Sequence, residues 1–300
     1  MNVLNVALDA SAGGPQDPGI LIPDLPMQRP TSSSRRRLVL PAVLMAALSA
    51  APLAQAADRI VAVSSGGFAE AFKELSVRYE KDVPGAIVDR QFGPSMGETK
   101  QAIPARLARG EPLDVVIMVG PALDKLIAQG LVDGATKVVL ADSYIACAVP
   151  AGEPAPELDT VEKVKAAFLG AASIAWSDSA SGEYIQHVLL KRLGIEEEVK
   201  AKGRQIPATP VGEIVASRQA AFGCQQRSEL QAVKGIRIVG ELPEEIQKVT
   251  PYAAGVVSSS RNHGPAQAFI RYLAATANAD ALKRSGLHPA STIAPMPVTR

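Results

Sequence analysis

The run Leu-Asp-Val-Val-Ile-Met-Val at residues 113–119 sets the tightest limit on what this chain can fold into. It has the length of a strand, yet it is apolar at almost every position. A strand with one wet face alternates apolar and polar residues, whereas a strand apolar on both sides needs cover on both. That requirement points to a parallel sheet held between layers of helices. Pro121 then pre-sets the first turn of a helix through Leu123, Leu126 and Ile127, and Gly130 closes it.

The same alternation runs along the chain. Ile60, Val61 and Val63 make a β-branched stretch, after which Phe68, Ala71, Phe72, Leu75 and Tyr79 recur with the spacing of one helix face. Further strands are expected at 87–92, 144–149, 173–177, 221–225, 236–239 and 252–257, with helices at 181–193, 265–275 and 280–285. The pattern predicts an α/β fold with mostly parallel sheets flanked by helices.

Residues 1–56 read as an N-terminal extension and signal peptide. Arg35, Arg36 and Arg37 precede an apolar run at 38–50 that is too short to span a bilayer, and Ala54-Gln55-Ala56 offers a small-x-small cleavage site. Translation from Met27 would give a leader of ordinary length. The mature chain would begin at Ala57, in the periplasm. The leader carries one more basic than acidic residue, so its loss brings the formal net charge of +1 to zero. No net field is left to attract nucleic acid. Aromatic residues make up only 4% of the chain, too few for a base-stacking platform. Any anion must be caught by a shaped site.

Cys147 and Cys224 both fall in apolar segments and are read as two buried thiols, with a disulfide as the alternative in an oxidising compartment. His187, His263 and His288 show no metal-ligand spacing, so no metal and no cofactor are expected. A monomer is expected.

Three strand-to-helix junctions share a composition: Ser-Ser-Gly-Gly-Phe at 64–68, Phe-Gly-Pro-Ser-Met-Gly-Glu-Thr at 92–99, and Trp-Ser-Asp-Ser-Ala-Ser-Gly-Glu-Tyr at 176–184. Ligands of α/β sheets bind outside the carboxyl ends of strands. Free amides at a helix start, beside hydroxyls and small residues, form an anion cradle without burying a cation. The same residues are also the commonest helix caps and turn formers, so each motif alone reads equally as a cap.

These residues, from Ser64 through Leu75, across 92–103, 113–130 and 142–150, resemble the periplasmic molybdate-binding proteins of ABC importers over nearly the whole mature chain. The resemblance implies a type II periplasmic binding-protein fold, with two lobes joined by two crossing strands. Lobe 1 would hold 57–144 and 252–300, and lobe 2 would hold 145–251. Family ligand positions fall on Gly67, with Ser64 and Ser65 just upstream, on Ser95, and on Ser181-Gly182. The family's tyrosine position falls at or near Gln226, where Gln225, Gln226 and Arg227 offer amide and guanidinium donors suited to a carboxylate.

The function implied is an exported solute-binding protein that closes on a small oxyanion or carboxylate and feeds an ABC permease. The alternative is a periplasmic isomerase, since this divergent subgroup also resembles bacterial aconitate isomerase. In that case Glu183, Glu98 and Tyr184 are the nearest candidates for proton transfer. Glu183 also fits a solvated helix face with His187 and Lys191.

Overall fold

A computed structural model describes residues 59–97, 99–207 and 209–290. The leader, its cleavage site and Met27 lie outside the described residues, as does Glu98. In chain order the strands are β1 (Arg59–Ser64), β2 (Ile87–Phe92), β3 (Val115–Val119), β4 (Val138–Ser143), β5 (Ile145–Pro150) and β6 (Ile174–Ser177). They continue as β7 (Gly203–Ile206), β8 (Phe222–Gln226), β9 (Ile236–Glu241), β10 (Thr250–Val256) and β11 (His288–Pro289).

Two sheets result, in the orders β11-β4-β10-β3-β1-β2 and β7-β6-β8-β5-β9. β3 is buried along Val115, Val116, Ile117 and Met118, and its alternate residues enter different cores. Val115 and Ile117 join Phe72, Leu75, Phe269 and Ile270 on one face; Val116 and Met118 join Ile103, Leu113 and Leu123 on the other. The helix Ala69–Asp82 supplies the first layer through Ala71, Phe72, Leu75 and Tyr79, and Gly120–Ala128 supplies the second through Ala122, Leu123 and Leu126. Each such aliphatic or aromatic side chain contributes about 1.5–3 kcal/mol on burial. Both faces of the strand are therefore covered, as its unbroken apolar run requires.

The sheets are mixed rather than mostly parallel. β1 pairs in parallel with β2 and β3, and β6 with β7 and β8, but β10 runs antiparallel between β3 and β4, and β5 antiparallel between β8 and β9. The antiparallel members are those by which the chain changes sheet. It passes from β4 to β5 through Tyr144 alone and returns from β9 to β10 through 242–249. Strands β4 and β7 carry no clear strand pattern in the sequence. The expected helix at 181–193 is divided, with a π turn at Ile185–Leu189 between α segments Ala180–Tyr184 and Leu190–Leu193.

Cys147 and Cys224 stand opposite each other in the β5·β8 ladder and form a disulfide. This corrects the expectation of two free thiols: antiparallel register placed them as direct partners, which their separation of 77 residues does not reveal.

Candidate functional site

The parallel strands of each sheet end at one edge, and the serine-glycine junctions follow from there. β1 ends at Ser64, and the backbone turns through a single 3-10 turn, Gly66–Phe68, before the helix begins. The Ser65 amide donates to the Ile117 carbonyl in the middle of β3, 2.9 Å away, which pins the turn to the neighbouring strand. Ser64 donates its hydroxyl to the Ser65 carbonyl at 3.1 Å. The Ser65 hydroxyl is buried and has no partner among the described residues.

Ser95 follows β2 and is also buried. Its oxygen accepts the Val119 amide at 3.1 Å, which leaves the hydroxyl proton free to donate. In the second sheet, Ser177 at the end of β6, Ser179 and Ser181 bring their hydroxyls within 2.7–3.3 Å of one another. Ser181 and Gly182 are buried, and a Cβ on Gly182 would overlap the Ser177 carbonyl, so only glycine permits that turn. Ser65, Ser95 and Ser181 are thus all withdrawn from solvent.

The end of β8 supplies the amides. Gln225 accepts the Val211 amide on its side-chain oxygen at 2.8 Å, so its NH2 group is turned toward Glu229, with which it hydrogen-bonds. The Gln226 NH2 group contacts the Thr250 hydroxyl at 2.9 Å, and its side-chain oxygen has no partner among the described residues. Thr250 can donate as readily as it accepts, so either end of that amide satisfies the contact and the other end stays uncommitted. Arg227 turns elsewhere: its guanidinium lies 3.6 Å from Glu241, which His288 also contacts.

Glu183 and Tyr184 do not join this group. The Glu183 carboxylate bonds Gln205 at 2.9 Å and lies 3.5 Å from His187 on an exposed face. The Tyr184 hydroxyl donates to the Ile246 carbonyl at 2.9 Å.

Two residues that were not singled out in the sequence do join it. Glu229 lies in the short helix Arg227–Gln231, which packs on the Gly66–Phe68 turn of the other half. A Cβ built on Gly66 would stand 3.0 Å from the Glu229 Oε1 atom. Glu229 as a whole is partly exposed, but its Oε2 atom is shielded and has no partner among the described residues. Tyr252, on β10, is buried, and its hydroxyl fills the place where a Gly67 side chain would begin. The paired glycines after Ser65 thus make room for a carboxyl and a phenol.

Burial pushes the Glu229 carboxyl up to about 7, opposed by the Gln225 hydrogen bond and reinforced by the negative charge of Asp178. Burial, with the nearby Glu229, holds the Tyr252 phenol well above its ordinary range, so it remains a hydroxyl donor. Asp178 belongs to the Ser177–Ser181 junction, which is therefore close enough to act on Glu229. A cavity of about 760 Å³ extends between the halves, lined by Gly66, Lys73, Pro210, Gln225, Ser228 and Glu229 among others.

Glu229 carries a weak advance signal, since it stands in the Gln-Gln-Arg-Ser-Glu stretch already marked for its donors. Tyr252 carries none beyond its place at a strand start.

Comparison with known proteins follows the same lines. The model of the bacterial extracellular solute-binding proteins matches residues 60–288. Aconitate isomerase of a Pseudomonas species is 46% identical over 244 residues, covering 81% of this chain and 93% of that protein. The molybdate-binding protein ModA of Escherichia coli is 25% identical over 236 residues, covering 76% of this chain and 88% of that protein. The Azotobacter vinelandii periplasmic molybdate-binding protein superposes with a TM-score of 0.62 at 20% identity, over 76% of this chain and 98% of that one. Peb3 of Campylobacter jejuni superposes with a TM-score of 0.57 at 12% identity, over 77% of this chain and 100% of that one. At such identities the superpositions speak for the fold. The two-sheet architecture, the strand order and the span of the family match lead to one assignment: this chain belongs to the bacterial extracellular solute-binding protein family.

Proposed function

We propose that this protein is an exported isomerase of a small unsaturated polycarboxylate, interconverting trans- and cis-aconitate in the periplasm after cleavage of the leader behind Ala56. The observation that carries this reading is the Glu229 carboxyl, with one oxygen shielded and unpartnered among the described residues, on the lining of the cavity. A protein that only holds an oxyanion has no need of a proton acceptor there. Proton transfer at a carbon next to a carboxylate does need a base, and it works best when the base titrates near the working pH. The relative named aconitate isomerase, at 46% identity over nearly all of its length, supports the same reading.

The neutral groups have a matching part. Gln225 lines the cavity, and in this reading the buried Ser65, Ser95, serines of 177–181 and Gln226 would add hydrogen-bond donors for the substrate carboxylates. None of them brings a charge that would hold the product. Partnership with an ABC permease belongs to the competing reading of a transport receptor, which predicts binding without turnover.

The test uses the purified mature chain and trans-aconitate, with the ultraviolet spectrum and product composition followed over time. Conversion toward the equilibrium mixture of isomers is expected. A spectrum unchanged over hours at micromolar protein would remove aconitate isomerisation and leave the transport reading.

A further inference from the structure

We infer that Glu229 is the single group that takes the proton from the substrate and returns it, and that the Tyr252 hydroxyl steadies the negative charge formed in between. The inference rests on the isomerase reading and deepens it by assigning the chemistry to atoms. Glu183 and Tyr184, the nearest described candidates from the sequence, are committed to Gln205, His187 and the Ile246 carbonyl and do not enter the site.

The geometry narrows the choice. Oε2 of Glu229 is shielded without a protein partner, while Gln225 is locked by the Val211 amide so that its NH2 group engages the carboxyl. One oxygen thus stays without a hydrogen-bond partner among the described residues while the carboxyl is held in place. The phenol of Tyr252 and the carboxyl of Glu229 stand against consecutive glycines, Gly67 and Gly66, so one reaches the turn from a strand and the other from a helix. The Ser65 hydroxyl, also unpartnered, belongs to that turn. Asp178 raises the proton affinity of Glu229, and Glu70, Glu213, Lys73 and Lys234 are the other charged groups on the cavity lining.

The step balances without any co-reactant. Glu229, ionised, removes a proton from the methylene carbon of aconitate. The C–H pair becomes a double bond to the central carbon. The former double-bond pair then takes a proton from the protonated Glu229 at the far carbon. Nothing is consumed, and the new double bond can close in either geometry. During the transfer, charge spreads onto the substrate carboxylates, where the Tyr252 and Ser65 hydroxyls can donate. One carboxyl serves both carbons only if they present the same face to it, so the proton moves across one side of the allylic plane.

Glu229→Gln keeps the volume and one acceptor but cannot take a proton. The experiment compares it with wild type for isomerisation of trans-aconitate, for deuterium entry into the substrate methylene by NMR in D2O, and for thermal shift by trans-aconitate. The expected result is a loss of about 10²–10⁴-fold in kcat and in exchange, with the thermal shift retained. The acid limb of the wild-type pH profile, near pH 7, should vanish from any residual activity. Isomerisation within threefold of wild type in Glu229→Gln would overturn the assignment and leave the isomerase reading standing. Wild-type exchange lost in the variant, without isomerisation in either, would keep the assignment and overturn that reading. Neither exchange nor isomerisation in wild type would overturn both.

Discussion

At the scale of single residues, Glu229 has a cost as well as a use. A carboxyl whose folded value is raised to about 7 binds its proton more tightly in the native state than in the unfolded chain. Its contribution to stability is therefore full below the unfolded carboxylate value and is lost as the pH rises through about 7. The melting temperature of the ligand-free wild type should fall between pH 5 and pH 8 relative to Glu229→Gln, by the equivalent of at most about 3 kcal/mol. Calorimetry of both proteins across that range checks the sign. A gap that does not change with pH would mean that Glu229 titrates like an exposed carboxylate. The sequence makes the serines and glycines of this site legible, because caps and tight turns have local signatures. It hides Glu229 and Tyr252. Glutamate in a first helical turn and tyrosine at a strand start are ordinary locally, and their meaning arises only where Gly66 and Gly67 meet them from the other half of the molecule.

Among elements, β8 leads directly into the site. It ends in Gln225 and Gln226, is paired with β6 on one side and β5 on the other, and is tied to β5 by Cys147–Cys224. The bridge closes a segment with a sequence separation of 77, for which loop-closure entropy gives about 4 kcal/mol. Replacing both cysteines by serine should lower stability by roughly 2–5 kcal/mol in urea unfolding and raise KM more than it lowers kcat, because β8 positions donors. Unchanged unfolding under reducing conditions would show that the bridge adds nothing. The apolar runs of β1, β3, β5, β8 and β10 are legible from sequence because buried central strands need cover on both faces. β4, with Val139 exposed, and β7, Gly-Arg-Gln-Ile, are not, since their pairing comes from neighbours rather than from their own pattern. The pairing of Cys147 with Cys224 is likewise a matter of register, which no local rule supplies.

For the whole molecule, the two halves meet beside the cavity. The Ser143 and Ser228 hydroxyls meet at 3.2 Å, His288 contacts Glu241 at 3.1 Å, and Gly286 lies close against the backbone of Arg227 and Ser228. These contacts join elements of one sheet to elements of the other near the crossing strands. A ligand that touches both halves favours the arrangement in which they are closed. Trans-aconitate at about a hundred times its Kd should therefore stabilise Glu229→Gln by about 2.7 kcal/mol, read as a rise in melting temperature, while molybdate leaves it unmoved. A rise with molybdate alone would point back to the transport receptor.

The placement of β10 between β3 and β4 has a further consequence for how this protein is made. β5 to β9 come from one unbroken stretch, 145–241, so the second sheet can assemble as soon as that stretch has left the ribosome. The first sheet cannot: its middle strand is the last long one to be synthesised, and until then β3 and β4 present bare hydrogen-bonding edges to any passing chain. The nascent polypeptide thus stays half-built until β10, in the last sixth of this sequence, arrives, and over that interval its open edges are within reach of escort factors.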